Sequence, residues 1–192
     1  MSASMLAPEV VNVIRMRNQS PAVQRGSKKW VQALDTVDWL TAQLPTGARY
    51  QLILFNTQAR FALPETQGRW LEIADSEQVE RAVSSVRNVL PEGGTSLHNA
   101  FNFLSELDSK PDNIFLVTDG LPTQGKSTPR KNTVSGPARL KHYRDALKAL
   151  PSGIAVNVVL SPMEGDPMAA SEFWKLAQNT GGSFMAPAKD WP

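Results

Sequence analysis

The sequence contains no cysteine, which excludes disulfide bonds and thiolate metal sites. It also has no apolar run that approaches the ~20 residues needed to cross a bilayer as a helix. The formal net charge is only +2, which is too small to indicate nucleic-acid binding from global charge. What is present is ordinary globular composition: 41% hydrophobic and 20% charged residues in a chain of 192, long enough for one domain with a sizeable core.

Helical and strand-like patterns alternate along the chain. Residues 27–44 carry apolar side chains at helical spacing, including Trp30, Leu34 and Val37, and Pro45 ends the helix. Similar patterns predict helices over 75–90, 96–108, 138–151 and 167–182. Short apolar runs predict strands over 50–57, 59–65, 113–119, 153–162 and 183–188, with a tight hairpin between the first two. The patterns therefore predict a single α/β domain over 1–192, in which helices flank a mostly parallel sheet.

One stretch matches a nucleotide-binding motif. Residues 120–127, GLPTQGKS, fit the phosphate-loop pattern G-x-x-x-x-G-K-[ST]. In a phosphate loop the lysine and serine begin a helix that packs an apolar face on the sheet. Here the residues that follow, up to Pro137, contain one aliphatic side chain, Val134, and no second strand ends in an aspartate that could hold the magnesium of a nucleotide. We therefore interpret 120–137 as a long polar surface loop and keep nucleotide binding at 120–127 as the weaker alternative.

No catalytic motif accompanies this loop. The two histidines, His98 and His142, belong neither to H-E-x-x-H nor to a G-x-S-x-G elbow, so we predict that the chain is not an enzyme. The segment from Gly120 to Arg144 is basic, contains no acid and has one aromatic residue, Tyr143. We therefore predict no nucleic-acid binding and interpret the segment as a solvated basic loop, with docking of an acidic partner as the alternative.

Three separated segments carry oxygen ligands: MSASM at the start, GGTSL in the middle and VTDG after the strand at 113–119. Hydroxyl and carboxylate oxygens suit Mg²⁺ or Mn²⁺ and are poor ligands for zinc or copper. The segments resemble the metal-ion-dependent adhesion site of the von Willebrand factor type A (vWA) domain. In that site Asp-x-Ser-x-Ser follows the first strand, a threonine precedes a helix, and an aspartate follows the fourth strand. Carried over by position, the resemblance implies that Ser2, Ser4, Thr95 and Asp119 are metal ligands.

The resemblance extends from Ser2 to about Ala186 and implies a three-layer, Rossmann-like fold of bacterial vWA type. It implies Mg²⁺ or Mn²⁺ as the ion and a partner protein whose aspartate or glutamate completes the site. The expected function is therefore cation-dependent protein–protein interaction. The alternative is a metal-free scaffold domain, in which Thr95 acts only as a helix cap and Asp119 only as a loop-forming residue.

The chain departs from the family pattern near its N-terminus. The first aspartate of the motif would fall just before Met1, and the first strand, which is central in the family's sheet, is absent. We therefore expect a truncated chain in which the neighbours of the missing strand lie about 9.6 Å apart. We also expect low stability, because both strand edges lack a partner, and weak or absent metal binding. Residues 5–26 are predicted to be an insertion near the metal face, with a short helix over 9–17.

Overall fold

The computed structural model describes residues 1–127, 134–161, 163–188 and 191. Seven α-helices lie among these residues: α1 (Val10–Arg17), α2 (Pro21–Arg25), α3 (Lys28–Gln43), α4 (Ser76–Arg87), α5 (Leu97–Ser105), α6 (Gly136–Leu147) and α7 (Ala169–Thr180). The same residues contain seven strands: β1 (Arg49–Tyr50), β2 (Ile53–Phe55), β3 (Ala59–Phe61), β4 (Leu71–Glu72), β5 (Asn113–Thr118), β6 (Ala155–Leu160) and β7 (Phe184–Met185). Two 3₁₀ helices, Ala3–Leu6 and Pro64–Thr66, are also present.

The five helices predicted from periodicity are all present, with ends that differ by a few residues. The apolar stripe of α3 buries Trp30 and Leu34 in one cluster with Leu54 of β2 and Val86 of α4. Burying each such side chain contributes about 2 kcal/mol, so this cluster fixes α3 and α4 against β2. In the part of the chain that the structure describes, no helix combines the length and the apolar character that a membrane crossing requires.

A parallel sheet of β5, β6 and β7 carries the second large cluster. β6 is the central strand, with its residues 155–160 opposite residues 113–118 of β5 on one side and β7 on the other. Helices α5, α6 and α7 pack on this sheet. Their side chains Phe101, Tyr143 and Phe173 form one buried cluster with Val156 and Val158 of β6. The Tyr143 hydroxyl donates a hydrogen bond of 2.8 Å to the carbonyl of Glu172, which joins α6 to α7.

The remaining strands form two separate antiparallel pairs, whereas the sequence predicted one sheet. β2 and β3 form the predicted hairpin, in which the amide of Asn56 donates to the carbonyl of Gln58 at 2.9 Å. The predicted strand 50–57 is interrupted at 51–52, and its first part, β1, pairs with the unpredicted strand β4. The predicted strand 59–65 is shorter than expected, since it ends at Phe61 and a 3₁₀ helix begins at Pro64.

A groove separates β2 from β5. The two strands belong to different sheets, and no other strand among the described residues lies between them. The groove is an apolar cavity of about 520 Å³, and both strands line it together with parts of α3 and α5. Phe115 of β5 lines this cavity and is 44% exposed. The side chain of Phe115 is therefore left partly open by the groove beside β5.

Residues 5–26, the predicted insertion, contain α1 and α2. The helix expected over 9–17 is present as α1, and the side chains of Val11 and Ile14 on it are exposed. The amide of Glu164 donates to the carbonyl of Pro8 at 2.9 Å, so this segment lies beside the connection from β6 to α7.

Candidate functional site

Ser2 and Ser4 lie next to the loop that precedes α5. Ser2 is buried, and its Oγ lies 2.6 Å from Oγ of Ser4, so the two hydroxyls form one hydrogen-bonded pair. Between them, the amide of Ala3 donates to the carbonyl of Gly93 at 3.1 Å. This backbone bond places both serines beside the loop that contains Thr95.

The amino group of Met1 lies at the end of β2. It donates a hydrogen bond to the carbonyl of Phe55, the last residue of that strand, and the Met1 carbonyl accepts from the amide of Glu92 at 3.0 Å. Burial lowers the pKa of this amine to about 5, and the positive charge of Arg60 lowers it further. The negative charges of Glu92 and Asp119 have the opposite, smaller effect and raise the pKa. Residues 1–4 are therefore inserted between the end of β2 and the loop before α5.

Thr95 is buried immediately before α5. The residue that caps α5 is Ser96, whose Oγ accepts from the amide of Asn99 at 3.2 Å, so the Thr95 hydroxyl is not the helix cap. The backbone of Thr95 is bound to the loop after β5. Its amide donates to Oγ1 of Thr123 at 2.8 Å, and its carbonyl accepts from the amides of Thr123 and Gln124, both at 3.0 Å. The loops before α5 and after β5 therefore form one connected unit.

Asp119 follows the last residue of β5 and pairs with a lysine. Nζ of Lys29 lies 2.9 Å from Oδ2 of Asp119 and 3.1 Å from the carbonyl oxygen of Ser4. Both charged side chains are only 6% exposed. The ammonium group thus joins the end of β5 to the N-terminal segment, at the point where the predicted metal ligands come together.

Lys29 was not among the residues predicted from the sequence. In the pattern of α3, Lys28 and Lys29 are equivalent polar residues of the first turn, yet Lys28 is exposed and Lys29 is buried. No local signal separates the two lysines, because both lie in the first turn of α3, where a cation opposes the helix dipole. A lysine is almost never fully buried unless it is paired, and the partner of Lys29 is Asp119, 90 positions away in the sequence.

The structure brings Ser2, Ser4 and Asp119 together around Lys29 and binds the Thr95 loop to both neighbouring segments. Among the described residues, no hydrogen bond joins the Thr95 hydroxyl to the other three predicted ligands. Three hydroxyls and one carboxylate fit a hard divalent cation in ligand type. No group of three or more His, Cys, Asp or Glu side chains occurs within the described ranges, so a cation at this edge would depend on the hydroxyls and Asp119.

In the stretch 120–127, which matched a phosphate loop, three backbone amides donate hydrogen bonds to other groups of the protein. The amides at 123 and 124 donate to the Thr95 carbonyl, and the amide of Leu121 donates to Oδ2 of Asp166 at 2.7 Å. The helix that follows, α6, begins only at Gly136, and residues 128–133 of the predicted polar loop lie outside the described residues. These bonds count against phosphate binding, because they occupy amides that a phosphate would need.

Arg139 corrects the prediction that the whole basic segment is solvated. It is buried, and its Nη2 lies 2.8 Å from Oδ2 of Asp166. Its Nε and Nη2 also donate to the carbonyl of Leu121, at 3.1 and 2.6 Å. Arg139 and Asp166 therefore hold the loop after β5 in position, and that loop holds Thr95.

Comparison with solved structures identifies the fold. The chain aligns with the structure named von Willebrand factor type A from Catenulispora acidiphila, with a TM-score of 0.60 over 88% of this chain. The chain has a vWA-like fold. Sequence identity in this alignment is 20%, so the likeness describes the fold alone. The alignment spans 36% of the C. acidiphila chain. No family model and no curated protein matches the sequence.

Proposed function

We propose that this vWA-like chain is the core of a protein-interaction module that recognises its partner through Mg²⁺ or Mn²⁺ and catalyses no reaction. The observation that carries the proposal is the convergence of oxygens on one buried cationic group. Oδ2 of Asp119 and the carbonyl of Ser4 both contact Nζ of Lys29, and Ser2 contacts Ser4. Oxygens gathered in this way beside the end of β5 form a site for positive charge.

In this proposal the hydroxyls of Ser2, Ser4 and Thr95 and the carboxylate of Asp119 hold the ion. A divalent cation bound mainly by neutral hydroxyls keeps most of its charge and attracts a further anionic ligand. The partner protein supplies that ligand as the carboxylate of an aspartate or glutamate. The buried backbone bonds of the Thr95 loop keep the ligands in place before the partner arrives.

A further strand completes the module in this proposal. The groove between β2 and β5 is apolar, and within the described part of the chain neither of these strands has a partner on that side. An extended segment joined to Met1 would enter the groove, because the Met1 nitrogen already donates to the carbonyl of Phe55. As a peptide amide, that nitrogen would keep the bond and would carry no charge at any pH of folding. An aspartate just before Met1, as the vWA resemblance implies, would add a second carboxylate to the site.

Thermal unfolding with and without Mn²⁺ tests the proposal in a chain that carries an apolar segment ending in aspartate before Met1. Mn²⁺ is expected to raise the unfolding midpoint, and Thr95→Val and Asp119→Asn are each expected to abolish the rise. Asp145→Asn is the matched control, because Asp145 is a partly exposed carboxylate in the surface pair with Lys148. A rise that survives both site changes would refute the proposal.

A metal-free interaction domain is the second candidate function, and the Lys29–Asp119 pair favours it. Lys29 already supplies a positive charge to Asp119, so the three segments hold together without a metal ion. A metal-free domain would show no midpoint shift with either Mg²⁺ or Mn²⁺, even with the N-terminal segment present.

A further inference from the structure

Lys29 occupies the place where a divalent cation would meet Asp119. Its Nζ lies 2.9 Å from Oδ2 of Asp119 and 3.1 Å from the carbonyl oxygen of Ser4, so it contacts two of the segments that would surround the ion. The contact with Asp119 has the length of a charge-assisted hydrogen bond. Lys29 therefore links the N-terminal segment to the end of β5 with a single positive charge, as a metal ion bound between them would.

The setting of this ammonium group differs from that of a surface lysine. The side chains of Lys29 and Asp119 are each 6% exposed, while the neighbouring Lys28 is exposed. Two of the three Nζ donors are used by Asp119 and Ser4. The pair has no net charge, so within this buried site neither ion requires a further counter-ion.

An ammonium and a divalent cation compete for this carboxylate. Like charges at contact distance repel strongly where solvent screening is weak. Only one carboxylate, Asp119, is present among the predicted ligands to attract both of them. A metal ion that takes Oδ2 of Asp119 would therefore displace Nζ of Lys29, whose flexible stem can carry the charge toward solvent.

We propose that Lys29 is the resident cation of this site and sets its metal affinity by competing with the divalent ion for Asp119. This inference rests on the proposed function and adds to it a residue that determines how tightly the metal binds. The protein then binds metal only to the extent that Lys29 leaves the carboxylate.

Mn²⁺ titration calorimetry on the wild type, Lys29→Met and Lys28→Met tests the inference. Methionine keeps the length of the stem without its charge, and Lys28→Met removes the same charge from the same end of α3. Lys29→Met is expected to bind Mn²⁺ at least tenfold more tightly than the wild type, and Lys28→Met with the affinity of the wild type. Equal or weaker binding by Lys29→Met would overturn the inference and leave the proposed function standing. Absence of binding in all three proteins would overturn the inference, while the proposed function is tested separately in the chain with the N-terminal segment.

Because Lys29→Met leaves Asp119 without its partner and can impair folding, a second measurement uses the wild type alone. Lysine acylation by an amine-reactive ester, quantified by mass spectrometry, reports how accessible each Nζ is. Saturating Mn²⁺ is expected to increase the labelling rate of Lys29 several-fold and to leave that of Lys28 unchanged. Unchanged labelling of Lys29 at saturating Mn²⁺ would overturn the inference.

Discussion

Nζ of Lys29 lies 2.9 Å from Oδ2 of Asp119, although 90 positions separate the two residues in the sequence. The pair joins the first turn of α3 to the end of β5 and closes the edge where the N-terminal segment and the loop before α5 meet. A buried pair of this kind adds little net stability, because both ions lose their hydration. Loss of one partner has a much larger effect, because the other charge is left buried.

Asp119→Asn is therefore expected to lower the free energy of unfolding by about 3 kcal/mol in the absence of metal. Glu65→Gln is the control, because Glu65 pairs with Arg81 at the surface with both side chains 56% exposed. The control is expected to change the free energy of unfolding by less than about 1 kcal/mol. Urea denaturation measures both values. Equal losses in the two variants would show that the Lys29 charge is not buried as described.

The loop after β5 depends on the absence of a side chain at Gly120. A Cβ there would lie 2.6 Å from Oδ2 of Asp166 and 3.0 Å from Nη2 of Arg139. Gly120→Ala is expected to destabilise the protein by about 2 kcal/mol, since this buried pair cannot move without weakening its bonds to Leu121. Gly47→Ala is the control, because no heavy atom lies within 4 Å of its added Cβ. Urea denaturation of the two variants tests this, and equal midpoints would contradict it.

Both tyrosines are expected to resist ionisation in the folded protein. Burial raises the pKa of Tyr143, and the negative charge of Glu172 adds a smaller increase. Burial also raises the pKa of Tyr50, with a smaller increase from the charge of Asp75. An acid whose pKa is raised on folding contributes full stability below its ordinary pKa of 10.0 and loses that contribution as the pH rises above it. Tyrosinate absorbance at 295 nm should therefore appear above pH 10 and together with unfolding. A tyrosine that titrates near pH 10 in the folded chain would contradict this.

The groove between β2 and β5 gives a prediction about stability. Joining five apolar, strand-forming residues to Met1 is expected to raise the thermal midpoint, because each apolar Å² buried contributes about 25 cal/mol and two strand edges gain a partner. The control is a glycine–serine segment of the same length, which has no side chains to fill the apolar cavity of about 520 Å³. Equal midpoints for the two extended proteins would show that the groove does not accept a strand.

Local sequence pattern was enough to predict the five longest helices, α3 to α7, because each carries its own apolar stripe, whereas the five-residue α2 was not predicted. In α4, for example, Val79, Val83 and Val86 recur at helical spacing, and Asp75 caps the helix by accepting from the amide of Gln78. The strand β4 could not be predicted in this way, since its two residues are too few to show a period of two. The division of the strands into three sheets also depends on pairing between distant segments, which local pattern does not contain.

The resemblance to vWA domains identified the candidate ligands, and the structure places Ser2, Ser4 and Asp119 in one contact network. It did not identify Lys29, because the burial of that side chain depends on a carboxylate far away in the sequence. Arg139 was misassigned to a solvated surface for the same reason, since its partner Asp166 lies beyond β6. Buried charges are the residues whose role a local pattern describes least well.

Mn²⁺-induced broadening in amide proton–nitrogen NMR spectra is the most direct test of a cation site at this edge. In the chain with the N-terminal segment, substoichiometric Mn²⁺ is expected to broaden the signals of residues 2–4, 93–96 and 119–124 before all others. The signal of Gly181, at the far end of α7, is the internal control. Broadening centred elsewhere, or none at any of these three segments, would contradict a metal site formed by Ser2, Ser4, Thr95 and Asp119.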